Sequence, residues 1–277
     1  MKFAFCTCVQ IGLSCIESIY RINGKLDLLV TLHDSKVHNK SGRIYLDELA
    51  KKRRIPIVKI NHINDKDAID AIKAHNIAWL FIIGWSQIAS KEIIETPTNG
   101  VIGAHPTLLP VGRGRASIPW AIIKGLRKTG VTVFKMDEGV DTGLILGQEE
   151  VRIEKEETAT TLYDKVNKAH TTVIEKIFPK LYNNTVDGII QDESRATYWE
   201  RRKPEDGKLS FDMSIEQADR LIRATTKPYP GAFVIIEDEK FIIWSGKKGI
   251  HSSALFVLDF KDGKYSVFQF DKIKLKL

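Results

Sequence analysis

The chain has 277 residues, 43% of them hydrophobic and 28% charged, an ordinary globular composition that excludes a disordered or collagen-like polymer. Its length excludes a single small module and leads us to expect one large domain, or one with a smaller partner. The 42 Lys and Arg against 35 Asp and Glu give a formal charge of +7, which suits an anionic partner such as a nucleic acid, a nucleotide or a polyanionic small molecule, and equally suits plain solubility.

Residues 2–9 (KFAFCTCV) read as a buried strand, and after Gln10, Ile11 and Gly12 a helical pattern runs through Tyr20 and Arg21. The alternation recurs as strand 26–32, helix 44–53, strand 55–60, helix 65–75 and strand 77–83, a succession that argues for βαβ units and a parallel sheet. A short helix at 90–95, a strand at 100–104, a Pro- and Gly-rich loop at 105–114 and a helix at 116–126 follow. VTVFKM (131–136) and LILGQEEVRI (144–153) are expected strands around the turn DEGVDTG. A long amphipathic helix is expected at 159–182, with Leu162, Val166, Ala169, Val173, Ile177 and Leu181 three or four residues apart.

Beyond about residue 195 the pattern changes to a polar, turn-rich stretch, a helix at 214–225 and the Pro-Gly boundary KPYPG. Short apolar runs then follow (AFVIIE, KFIIWSG, ALFVLDF, KYSVFQF, KIKLKL), the fourth after the hairpin signal Asp262-Gly263, which fits a small antiparallel unit. The expected organisation is a domain over 1–200 and a mainly β domain over 201–277. Cys6, Cys8 and Cys15 lack zinc or disulfide spacing and read as buried thiols. Neither a signal peptide nor a membrane span is expected, which makes the cytoplasm the default compartment.

His105 lies where the 100–104 strand gives way to the loop, the edge of an open α/β sheet at which ligands bind. The other six histidines lie in polar loops or on helices. A histidine near physiological pKa exchanges a proton best when a carboxylate orients it, and Asp137, Glu138 and Asp141 in one turn are the candidate partners; spacing alone does not choose among them. Arg113 and Arg115 could bind phosphate or carboxylate, or be solvated surface groups. No phosphate-loop pattern is present, which disfavours a nucleotide-hydrolysing motor.

The run HPTLLPVGRG (105–114) resembles the H-x-S-L-L-P-x-x-R-G signature of 10-formyltetrahydrofolate-dependent formyltransferases, and MDEGVDTG (136–143) resembles their second motif, ending in D-x-G. RGRASIPWAIIKGLRKTGVTVFKMDEGVDTG, RRKPEDGKLSFD and IRATTKPYPGAF are similar to the branch that formylates nucleotide-linked sugars, and the likeness covers about residues 1–235. The resemblance implies a Rossmann-like domain, a mostly parallel sheet with helices on both faces that holds the folate, and a small C-terminal β-rich domain. Of the family's catalytic Asn, His and Asp it places His and Asp at His105 and Asp141, with Gly103 where the Asn is expected. A water, a backbone N–H or a side chain of the 84–87 loop could replace that amide; otherwise the enzyme is slow or inactive.

It further implies a folate pocket formed by Gly84, Trp85, Ser86, Gln87, Leu109, Pro110, Met136, Gly139, Val140 and Asp141, and a substrate site drawing on Arg113, Arg115, Arg201, Arg202 and Tyr229. The implied reaction moves the formyl group of 10-formyltetrahydrofolate to an amine of a UDP- or dTDP-linked amino sugar in surface-glycan or lipopolysaccharide biosynthesis. No metal, nucleic acid or membrane is expected, and a homodimer is compatible with exposed apolar strands near the C-terminus. Methionyl-tRNA is the alternative acceptor, with the basic loop SKVHNKSGR (35–43) in its favour. A silent nucleotide-sugar-binding protein is the alternative of another class.

Overall fold

The computed structural model describes residues 1–39 and 43–275. In chain order it holds β1 (Phe3–Cys6), α1 (Gln10–Arg21), β2 (Leu28–Leu32), α2 (Asp47–Arg53), β3 (Ile57–Ile60), α3 (Lys66–Ala74), β4 (Trp79–Ile82), α4 (Lys91–Glu95) and β5 (Gly100–His105). These are followed by β6 (Arg113–Gly114), α5 (Ser117–Ile123), β7 (Lys128–Lys135), β8 (Ile145–Arg152), α6 (Ala159–Tyr182) and β9 (Tyr198–Trp199). The last elements are α7 (Ile215–Thr225), β10 (Ala232–Ile236), β11 (Glu239–Lys248), β12 (Phe256–Phe260) and β13 (Gly263–Lys274).

Seven strands form one sheet in the order β3-β2-β1-β4-β5-β7-β8. The first five run parallel, and β7 is antiparallel to β5. Alternate residues of the parallel strands supply the two faces. Ala4, Cys6, Val30, Leu80, Ile82 and Val101 pack with Ile69 and Ile72 of α3 and Ile93 of α4. From the opposite face Phe3 packs at a tilt against Phe178 of α6, 4.7 Å between ring centroids, and Phe5 stacks on Phe81 at 5.4 Å. Helices thus cover both faces of a mostly parallel sheet, and β5, flanked by β4 and β7, carries His105 at its end.

The chain forms two compact units, each assembled from separated stretches. One comprises Met1–Arg113, Gly130–Glu150 and Asn167–Thr197, the other Gly114–Thr129, Val151–Val166 and the chain from Tyr198 on. The second unit carries the antiparallel sheet β10-β11-β13-β12, against which α7 buries Ala218, Leu221 and Ile222. Ser214 and Gln217 form a reciprocal capping box at the start of α7, satisfying two otherwise orphan N–H groups.

Several elements differ from the sequence reading. Helix α1 begins at Gln10, with Gly12 inside its first turn rather than in a turn before it; glycine stands there for want of room, since a Cβ would overlap the Thr7 side chain. Strand β7 starts at Lys128, where the polar residues Lys128 and Thr129 mask the strand in the hydropathy pattern. KYSVFQF and most of KIKLKL form one strand, since the ten-residue β11 pairs along it from Glu239↔Lys274 to Lys248↔Tyr265; Lys276 and Leu277 lie outside the described residues. The turn before β13 is one residue earlier than expected, because Gly263 already pairs with Phe260 and Asp262 turns its carboxylate to the Ile215 amide at 2.6 Å. All three cysteines are free and buried, and burial pushes the Cys15 and Cys6 thiols well above their ordinary range. Among the described residues no helix is long and apolar enough to cross a membrane.

Candidate active site

At the end of β5, His105 is 7% exposed. Its Nδ1 lies 3.4 Å from Oδ2 of Asp141, and its Nε2 lies 2.8 Å from the carbonyl oxygen of Gly112. A carbonyl only accepts, so Nε2 is the donor in that bond, while Nδ1 donates to the carboxylate when the ring is charged. Of the three acidic residues in the turn, Asp137 accepts from the Gly139 amide and the Thr142 hydroxyl, and Glu138 pairs with Lys91 at 2.9 Å. Asp141 is the carboxylate brought to His105. Its φ of 58° is left-handed, a conformation that Asp tolerates better than most residues and that needs support from its surroundings.

That support comes from residues the sequence reading missed. Gln191, 5% exposed, donates from Nε2 to the carbonyls of Asp141 at 2.9 Å and Gly143 at 2.8 Å. Its Oε1 accepts from Nε and Nη2 of Arg113 at 3.2 and 2.8 Å, and Arg113 also donates to Glu193 at 2.5 and 2.8 Å. These bonds hold the Glu193 carboxyl below its ordinary range. On the histidine side, the Thr132 hydroxyl donates to the Thr107 carbonyl at 2.7 Å and accepts from the Leu109 amide at 3.0 Å. Gln148 donates to the Leu109 carbonyl, and Thr197 accepts from the Gly112 amide, both at 2.9 Å. Gln191 stands in no motif or periodic pattern, and Thr132, though within the expected strand 131–136, has nothing in that pattern to single it out.

Gly103 lies two residues before His105, opposite Phe134 of β7. A Cβ there would meet Phe134 Cζ at 2.9 Å and Met136 Cγ at 3.2 Å, so those two side chains fill the space that an asparagine would enter. The 84–87 loop is also committed. Gln87 Nε2 donates to the Asn61 carbonyl at 2.9 Å, while its Oε1 accepts from the Ile63 amide at 2.9 Å and from Trp85 Nε1 at 3.0 Å. Thr107 Oγ1, by contrast, is buried without a hydrogen-bond partner. A buried hydroxyl left so is uncommon and calls for an occupant or a role.

The remaining expected folate contacts fall into neighbouring places. Half-buried Trp85 and Met136 pack on one core cluster, and Met136 also packs on the cluster of Leu109, Phe134 and Ile145, with Pro110 next in the chain. Gly84, at φ 70°, lies so close to Val9 that a side chain would collide with it. Ser86 and Gly139 are exposed, as is Val140 at 56%. Of the expected substrate contacts, Arg113 is fully buried in the Gln191–Glu193 contact, whereas Arg115 and Arg201 are exposed. Arg202 and Tyr229 line one small cavity of about 120 Å³, and burial pushes the Tyr229 phenol above its ordinary range. Among the described residues no group of three or more His, Cys, Asp or Glu is arranged to hold a metal ion.

The sequence profile of the formyl transferase family matches residues 35–177, and that of the formyl transferase C-terminal domain matches residues 201–264. The chain belongs to the formyl transferase family. It is 31% identical over 250 residues to the bifunctional polymyxin resistance protein ArnA of Wigglesworthia glossinidia brevipalpis, aligning over 90% of its own length and 38% of that protein's. The fold matches the N-formyltransferase of Helicobacter canadensis, solved with folinic acid and dTDP-3-aminofucose, with a TM-score of 0.69 at 18% identity over all of both chains. It also matches the methionyl-tRNA formyltransferase of Clostridium thermocellum, with a TM-score of 0.64 at 22% identity over 99% of each chain.

In this formyl transferase, Gly103→Asn is expected to cost about 1–3 kcal/mol by overpacking. Urea denaturation measures it, and Gly103→Asn combined with Phe134→Ala should lose less stability than the sum of the two single losses, since the truncation makes room for the amide. Gln191→Leu should cost roughly 2–4 kcal/mol, because it strands two carbonyls and removes an acceptor from a buried guanidinium. Faster proteolysis within the 136–143 turn should accompany it; a loss under about 0.5 kcal/mol, the size of an ordinary surface change, would deny Gln191 this role.

Proposed function

We propose that this chain moves the formyl group of 10-formyltetrahydrofolate to the amine of an amino sugar carried on UDP or dTDP, in building a surface glycan such as lipopolysaccharide. The observation that carries the reading is the His105–Asp141 pair at the end of a central strand, each residue within one of the two family motifs. The sugar acceptor is supported by the ArnA likeness and by the dTDP-3-aminofucose that the Helicobacter canadensis structure holds. That structure's folinic acid supports the folate donor. The half-buried Trp85 and Met136, beside the polar backbone of the 136–143 turn, suit a flat heteroaromatic ring with polar edges.

In the reaction the amine nitrogen bonds to the formyl carbon, the bond from that carbon to the folate nitrogen breaks, the amine loses a proton and the folate nitrogen gains one. The incoming amine displaces the Gly112 carbonyl from Nε2 of His105, and the neutral ring then carries its one hydrogen on Nδ1, donated to Asp141, with Nε2 unprotonated. The neutral ring accepts the amine's proton there, and the resulting imidazolium, held through Nδ1 by Asp141, returns it to the leaving nitrogen. Oxygen charge that builds up on the formyl group needs a donor. With no amide at position 103, the unpartnered hydroxyl of Thr107 takes that part.

Gly103 favours a second reading, a protein that binds the nucleotide sugar without turnover. The tRNA alternative draws on the likeness to the Clostridium thermocellum enzyme and on the basic loop 35–43. Within that loop Arg43 turns inward onto Thr31 and Asp34, and Lys40, Ser41 and Gly42 lie outside the described residues.

Incubation with 10-formyltetrahydrofolate and a panel of UDP- and dTDP-linked amino sugars, beside methionyl-tRNA, tests the reading by the mass of one added formyl group. A gain on tRNA alone overturns the sugar acceptor, and sugar binding without any gain supports the silent binder. His105→Ala should lower turnover by roughly 100- to 10,000-fold while the chain still unfolds in one cooperative transition. Thr107→Val, which keeps the shape and removes an unsatisfied hydroxyl, should leave stability within about 1 kcal/mol. It should lower kcat by roughly 100-fold, as loss of one oxyanion donor does; full activity would remove Thr107 from the mechanism.

A further inference from the structure

A cavity of about 470 Å³ opens within the second compact unit, between the end of α5, the stretch after β8 and helix α7. Neither family motif contributes to it. Its wall presents five cations, Arg127, Arg152, Lys155, Arg220 and Arg223, against two carboxylates, Glu154 and Glu216. Such an excess of like charge around one concavity is costly unless an anion or solvent counterions compensate it.

The five cations differ in how they are held. Arg223 is engaged at all three nitrogens, with Nε and Nη2 on Asp219 and Nη1 on the Glu157 carbonyl. Arg220 pairs with Glu216 through Nε at 3.0 Å, which leaves its two terminal nitrogens lying over Gly125; a side chain at 125, where φ is 64°, would run into them. Glu216 is shared with Lys248 at 2.6 Å, so it does not fully neutralise Arg220. Arg152 meets Glu154 through Nε alone, at 3.2 Å. Exposed Arg127 and Lys155 have no ion-pair partner among the described residues. The free donors are thus guanidinium terminal nitrogens from two strand-end arginines and one helix arginine, together with one ammonium, all converging on one space.

We propose that this cavity is a binding site for a small molecule bearing a diphosphate. Planar guanidinium forks match phosphate oxygens two at a time, and several converging forks favour an anion with two linked phosphates over a single one. The volume lies in the range of small-molecule sites, roughly 300–1,000 Å³, and a concavity of that size admits a nucleotide rather than the face of a duplex. Buried Ile122 and Ile153 on the same wall offer an apolar surface to whatever carries the phosphates. The site stands on its own geometry and does not depend on the proposed reaction.

Isothermal titration of the full chain with inorganic diphosphate at low ionic strength tests it, with inorganic phosphate, UDP and dTDP titrated in parallel. The expected order is diphosphate tighter than phosphate, with affinity falling as salt is raised. The Arg127→Ser/Lys155→Ser double variant, altered only at exposed positions, should bind diphosphate roughly tenfold or more weakly, as loss of charge-assisted hydrogen bonds does. UDP or dTDP binding at least as tightly as diphosphate, and weakened equally by the double variant, identifies the natural occupant as a nucleotide. Diphosphate binding alone identifies the free anion. Absence of diphosphate binding, or affinity unchanged in a variant that keeps its melting curve, overturns the proposal.

Discussion

The contact between Arg113 and Gln191 is the constraint on which the candidate site rests. A guanidinium that is fully buried must be matched on its N–H groups, and Gln191 Oε1 takes two of them while Glu193 takes others. Once its oxygen is fixed in that way, the amide of Gln191 has one orientation, and Nε2 points at the carbonyls of Asp141 and Gly143. The turn is therefore held by its backbone, and the Asp141 carboxylate faces His105. The same arginine begins the short strand β6 and donates its own amide to the Thr197 carbonyl, so one residue ties the loop after His105 to the segment that supports the acidic turn.

A second set of bonds fixes the other half. Thr132 pairs with His105 across β5 and β7, and its hydroxyl lies between the Thr107 carbonyl and the Leu109 amide. The imidazole is thus positioned from strand β7 and the carboxylate through the buried Gln191, an arrangement that keeps a proton-transfer pair in register. The position that differs from the family pattern is equally determined by packing. With Phe134 and Met136 filling the space beside Gly103, the chain has put hydrophobic volume where an amide would stand, and a buried hydroxyl two residues beyond the histidine is left without a partner.

Charge is distributed unevenly over the molecule. Arg113, which the motif offers as an anion ligand, is consumed inside the first unit, and Arg43 is turned inward. In the second unit Arg127, Arg152, Lys155 and Arg220 gather around one cavity with too few carboxylates to match them. The net +7 of the chain is therefore a poor guide to where an anion binds.

Much of the architecture was legible in the sequence, because buried parallel strands such as FAFC and WLFI are continuous apolar runs and α6 repeats its apolar residues every third or fourth position. Both motifs were legible as well, and so was the absence of the asparagine at Gly103. Spacing alone left Asp137, Glu138 and Asp141 equivalent and only the family resemblance pointed to Asp141, while Gln191 and Thr132 stayed unmarked and Arg113 read as an open cation. Only the tertiary structure showed what Gln191, Thr132 and Arg113 hold in place, since that depends on which carbonyls a residue some fifty positions away can reach and on how deeply a charge is buried. The cationic cavity was invisible for the same reason: its residues come from three separated stretches, and concavity is a property of packing that no spacing along the chain encodes.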